Sequence, residues 1–118
     1  MKSFGSNMHI NKNGIRIHDK NSFIGMRNAG RLAASILDTI GELVVPGKST
    51  EEIDIAINKI IEKADAKSAT IGYRGYKHAS CISLNHVVCH GIPSTKIIKN
   101  GDIINIDVTV IVDGWYGD

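Results

Sequence analysis

Asp107 and Asp118 have the residue type and the spacing to hold a cation. In residues 103–112, Ile104, Ile106, Val108, Val110 and Val112 recur at every second position. A β-strand would place them on one face, with Ile103, Asn105, Asp107, Thr109 and Ile111 on the other. The second face is apolar at its ends and polar in its middle, and a carboxylate there stays ionised only with water or a partner. Asp113-Gly114 follows, the pair best suited to the φ > 0 positions of a type I′ hairpin turn. With the turn there, Val112 faces Trp115, Ile111 faces Tyr116, Val110 faces Gly117 and Thr109 faces Asp118. Asp118 then shares a face with Thr109, and with Asp107 on a diagonal of roughly 7 Å between Cβ atoms. Two readings fit: half of a carboxylate-rich metal site, or an amphipathic hairpin ending in a solvated acid.

Other reactive types lie upstream. Residues 71–76 (IGYRGY) form a glycine-rich loop carrying Tyr73 and Tyr76, whose rings either line a pocket or pack as lids. His90 precedes Gly91, which permits close approach of a backbone or ligand, and a structural histidine fits the pattern as well as a functional one. Cys81 and Cys89 form no C-x₂-C or C-x₄-C pair, which argues against structural zinc and leaves free buried thiols or a disulfide.

These residues need elements to position them. Asp19 is suited to cap a first helix over residues 20–43, with Phe23, Met26, Leu32, Ile36, Leu37 and Ile40 spaced three and four apart. Gly25, Ala29, Gly30, Ala33 and Ala34 leave a small-residue surface against which a sheet can pack closely. Residues 44–47 (VVPG) turn the chain, and Ser49 with Glu52 makes the capping box of a second helix. Its buried stripe reads Ile53, Ile57, Ile60, Ile61 and Ala64, with Glu51, Glu52, Asp54, Lys59, Glu62 and Lys63 on a solvated face. Residues 80–84 alternate as a strand, the turn falls at Asn85-His86, and residues 87–91 make a partner strand. Two consecutive helices with a short connection suit an α+β fold in which helices cover one side of an antiparallel sheet. Residues 1–18 read as a partly flexible arm and residues 19–118 as the folded unit.

With 118 residues and a 42% hydrophobic fraction, the chain can bury one small core. Fourteen basic against twelve acidic residues give a net charge of +2, too little for a nucleic-acid footprint. No apolar run reaches the roughly 18 residues of a membrane span, and no secretory h-region opens the chain, so a cytoplasmic setting is expected.

Taken together, residues 26–33 (MRNAGRLA), 45–50 (VPGKST), 72–76 (GYRGY), 83–93 (SLNHVVCHGIP) and 101–118 (GDIINIDVTVIVDGWYGD) carry a resemblance. They resemble the N-terminal half of the bacterial type I methionine aminopeptidases, members of the pita-bread metallopeptidase family. The resemblance runs from about residue 15 to Asp118, and its last two segments are its most specific.

What it implies is a hydrolase that removes the initiator methionine from nascent polypeptides, using two divalent ions such as cobalt, manganese, iron or zinc. By the same resemblance, Asp107 corresponds to an acid on one metal and Asp118 to a carboxylate bridging both. His90 corresponds to a substrate-contacting histidine. Thr70, Tyr73, Tyr76 and Cys81 correspond to the lining of the methionine slot. Thr70 stands where bacterial relatives often carry cysteine, and Lys77-His78 where Pro-Lys is common. The family takes three further metal ligands, a histidine and two glutamates, from its C-terminal half, so this chain retains two of five. The 118 residues alone are therefore expected to be inactive. The alternatives are a non-enzymatic interaction module of the same fold, or one half of a split enzyme completed by a second chain.

Overall fold

The computed structural model describes residues 9–86 and 91–118. The expected partner strand at residues 87–91 falls, but for Gly91, outside the described residues. A short antiparallel ladder of β1 (His9–Ile10) and β2 (Arg16–Ile17) precedes helix α1 (Lys20–Ile40). Asp19 caps α1 as expected: its carboxylate accepts from the Ser22 amide at 2.9 Å and from the Ser22 hydroxyl at 3.1 Å. The helix ends earlier than expected, giving way to a 3-10 turn at Gly41–Leu43. Helix α2 (Thr50–Lys63) opens with the capping box, in which Ser49 and Glu52 satisfy each other's amides.

Among the described residues, seven strands form three small sheets. In one, β4 (Ser80–Leu84) pairs antiparallel with β5 (Ile104–Val108) along its whole length, from Ser80 opposite Val108 to Leu84 opposite Ile104. In another, β6 (Val110–Val112) lies between β3 (Lys67–Ser68) and β7 (Trp115–Gly117). Strands β5 and β6 were expected to be one strand. They are separated at Thr109, whose carbonyl accepts from the Ala69 amide at 3.0 Å, and at this residue the chain passes from one sheet to the other. The turn expected at Asp113-Gly114 is present, with φ of 50° and 84°, and pairs Val112 with Trp115, Ile111 with Tyr116 and Val110 with Gly117.

The core is built from isoleucine. Ile36 and Ile40 of α1 meet Ile53, Ile57 and Ile61 of α2, none more than 1% exposed, over Ile82, Leu84, Val108 and Val110 of the strands. Fully burying one such side chain contributes about 1.5–3 kcal/mol relative to leaving it exposed. The alternating face of residues 103–112 points as expected, with Val108 and Val110 buried and Ile103 73% exposed.

Two expectations for the helices need correction. Phe23 and Leu37 are exposed, and the buried side of α1 is instead Ser22, Ala29, Ala33, Ile36 and Ile40. Small residues win here because β7 comes almost into backbone contact with the helix. A Cβ on Gly117 would overlap the Ala29 carbonyl, and one on Gly25 would overlap the Trp115 ring. On α2, Asp54 is only 6% exposed rather than solvated, while Ala64 is exposed. Asp54 shares a helix face with Ile57 and Ile61, three and seven residues on, a spacing that is legible in the sequence.

Candidate functional site

Strand pairing assembles the site. Because Cys81 stands directly opposite Asp107 in the β4–β5 ladder, both side chains project to the same side of the sheet. They open onto a cleft of about 580 Å³ lined by Thr70, Tyr73, Tyr76, Cys81, Asp107 and Thr109, with Ala69, Arg74, Gly75 and Ile92 completing the wall. Thus four of the five expected pocket residues and one of the two expected metal ligands share a single cavity, the fifth pocket residue, His90, lying outside the described residues. Ile92 and Arg74 were not expected there, although both lie within segments that the sequence marks.

The loop that carries the tyrosines is shaped by left-handed backbone. Arg74 has φ 49° and ψ 36° within the 3-10 turn Tyr73–Gly75, which bends the loop over the cleft. The Arg74 guanidinium lies 5.3 Å from the centre of the Tyr73 ring, a cation–π contact at an exposed position. Tyr76 is anchored more firmly. Its hydroxyl donates to the Ser80 carbonyl at 2.8 Å and accepts from Cys81 Sγ at 3.6 Å. Burial and the hydrogen bond with Cys81 push the Tyr76 phenol above its ordinary range, so the group is neutral at all physiological pH values. Cys81 carries a free thiol.

Asp118 joins the site through Thr109. The Thr109 hydroxyl, which also lines the cleft, donates to Asp118 Oδ1 at 2.6 Å, as the hairpin register requires. Thr70 is fixed from behind, its hydroxyl donating to the His78 carbonyl at 2.7 Å. His90 and Cys89 lie outside the described residues.

The donor set can be tested against a divalent ion. Two carboxylates are the right chemistry for a hard or borderline cation, but such ions take four to eight ligands. Among the described residues no group of three or more His, Cys, Asp and Glu side chains converges. Asp107 and Asp118 thus suit a metal in kind and fall short of its full coordination in number. Among the described residues no helix is long and apolar enough to cross a membrane.

Comparison with known proteins follows the same lines. The model of metallopeptidase family M24 matches residues 24–118. The chain is 51% identical over 104 residues to a methionine aminopeptidase of Rickettsia prowazekii, covering 88% of this chain and 40% of that protein. It is 56% identical over 95 residues to a methionine aminopeptidase of Escherichia coli K12, covering 79% and 36%. The crystal structure of the Rickettsia prowazekii methionine aminopeptidase superposes with a TM-score of 0.86, over 88% of this chain and 42% of the other. The chain thus spans about 40% of the length of the curated relatives it matches.

Proposed function

The chain belongs to metallopeptidase family M24, and from that membership we propose that it contributes the N-terminal part of a methionine aminopeptidase. The reading assigns residues 1–18 to an arm and residues 19–118 to the first half of a pita-bread catalytic domain. The observation that carries it is the meeting of Asp107 with Thr70, Tyr73, Tyr76 and Cys81 around one cleft.

Each residue then has a task. The cleft accepts the methionine side chain, with Tyr76 and Cys81 offering polarisable, weakly polar surface suited to a thioether. Asp107 and Asp118 would hold the divalent ions, cobalt, manganese, iron or zinc, and Thr109 orients Asp118. When bound, such ions supply water activation and carbonyl polarisation. His90 is assigned to the scissile amide by resemblance alone. Tyr76 does not serve as a base, since its neutral phenol is already committed to Ser80 and Cys81.

The substrate class is the N-terminus of nascent polypeptides, and the setting is the cytoplasm, where those chains emerge. The missing ligands come from a C-terminal half, in the same polypeptide or in a second chain. That requirement is favoured by the absence of a third ligand beside the two carboxylates among the described residues. An interaction module without chemistry is the competing reading.

A Met-Ala-Ser peptide with added cobalt or manganese tests these readings. The 118-residue chain alone should release no methionine, and mixing with the C-terminal part of the Rickettsia prowazekii relative should restore turnover. Turnover by the chain alone would sink the requirement for a second half. Failure on mixing, together with no metal-dependent change in melting temperature, would favour the interaction module.

A further inference from the structure

Behind the cleft lies a buried acid that none of the site assignments uses. Asp54 of α2, 6% exposed, receives three consecutive residues of the segment entering β4. Ser80 Oγ donates to its Oδ1 at 2.5 Å, the Ala79 amide reaches its Oδ2 at 3.4 Å, and His78 Nδ1 lies 3.4 Å from the same oxygen. The opposite side of this segment holds the cleft. The His78 carbonyl accepts from Thr70, the Ser80 carbonyl accepts from Tyr76, and Cys81 follows directly in the chain. The His78 ring also packs edge-on against Tyr76 at 5.5 Å between centres. Residues 78–80 are therefore a short bar, fastened to α2 by side chains and amide on one side and holding the cleft wall by carbonyls on the other.

We propose that Asp54 is a positioning residue for the cleft: by anchoring residues 78–80 it sets how far Thr70 and Tyr76 stand from Asp107, opposite which the β4–β5 ladder already fixes Cys81, and so the width of the slot and the cover that Tyr76 gives the Cys81 thiol. The proposal rests on the aminopeptidase reading for its meaning, but the anchoring itself does not depend on that reading. A buried carboxylate with two donors and an imidazole in one direction is a strong local constraint, because removing it strands the Ser80 hydroxyl and Ala79 amide without partners. Without the carboxylate, Ser80 would still be held in the β4–β5 ladder, but residues 78 and 79, which precede the strand, would lose their tie to α2.

The test reads the cleft directly through alkylation of Cys81 by iodoacetamide in the native 118-residue chain, located by mass spectrometry. Asp54→Ala should speed Cys81 labelling about tenfold, the scale expected when a charge-assisted anchor is lost and local opening becomes easier. Ile61→Val, a core change in the same helix that lowers the melting temperature, should leave the rate nearly unchanged. An unchanged rate in Asp54→Ala, or an equal rise in Ile61→Val, overturns the proposal. If Asp54→Ala gives no cooperative melt, Ser80→Ala is read in its place, with a smaller rise expected and an unchanged rate counting against the anchor. Norleucine amide, a probe for the side-chain slot, should slow labelling of the parent chain and not of Asp54→Ala. Failure to protect the parent counts against the aminopeptidase slot, whereas the labelling comparison between variants decides the role of Asp54.

Discussion

Thr109 Oγ1 donates to Asp118 Oδ1 at 2.6 Å from the one residue that separates β5 from β6, so a candidate metal ligand is held by the junction between two sheets. Thr109→Val keeps the shape of the side chain and removes the donor. Its cost in stability should be small, at most about 1 kcal/mol, because the pair is exposed. Its effect on Mn²⁺ binding should be larger, about tenfold weaker by calorimetric titration, as expected for a group that orients a metal ligand. Equal Mn²⁺ affinity in the variant and the parent would separate Thr109 from metal binding.

Gly117→Ala should destabilise the fold by about 1–3 kcal/mol, the range for forcing an extra methyl into a filled space. The added Cβ meets the Ala29 carbonyl, which belongs to helix backbone and gives way only if α1 or β7 moves. Urea denaturation followed by the fluorescence of Trp115, the single tryptophan, should show a lower midpoint with an unchanged slope. An unchanged midpoint would mean that helix and strand sit further apart than described.

Tyr76 makes stability depend on alkaline pH. Its phenol titrates higher in the folded state than in the unfolded chain, first through burial and then through Cys81. The associated stability is present below the ordinary tyrosine value of 10.0 and is lost as pH rises through the higher folded value. Tyr76→Phe should remove the late-ionising component from the absorbance titration and flatten the alkaline decline in melting temperature. It should also cost about 1 kcal/mol at neutral pH for the lost bond to Ser80.

Asp102 acts at the other end of the scale. Its carboxylate accepts from the Lys99 amide at 2.8 Å and from the Asn85 side chain at 3.1 Å, and these hold it below its ordinary value of 3.8. A depressed folded value contributes stability that is present above the unfolded value and lost as pH falls through the folded one. Melting temperature should therefore fall on acidification below the ordinary carboxylate range, and Asp102→Asn should show a shallower fall. Parallel curves for the two proteins would assign the acid sensitivity to other carboxylates.

What the sequence made legible was local. The Asp19 and Ser49 caps and the Asp113-Gly114 turn depend on side chains meeting backbone within a few residues, and each is where the sequence places it. The face of Asp107 and Thr109 was legible from alternation, and the grouping of Tyr73, Tyr76 and Cys81 from resemblance to a family. Long-range pairing was not. Nothing near Cys81 marks Asp107 as its partner, and β3 is two residues long, too short for any period to register. The break at Thr109 follows from competition between β4 and β3 for successive parts of one strand, which alternation alone cannot express. Asp54 was misassigned because a charge within a helix usually faces water, whereas here its donors come from a segment 25 and 26 residues further along.

The near-contact between Gly117 and Ala29 has a consequence for how this protein can vary. Asp118 follows immediately after a residue whose height above α1 is set by backbone against backbone, with no side chain in between. Core residues elsewhere can exchange one hydrophobic shape for another and shift the helices by fractions of an ångström. Such drift is absorbed by rotamers, while the spacing that carries Asp118 is set by atoms common to every amino acid. The height of the carboxylate above α1 is thereby independent of which hydrophobic side chains fill the core.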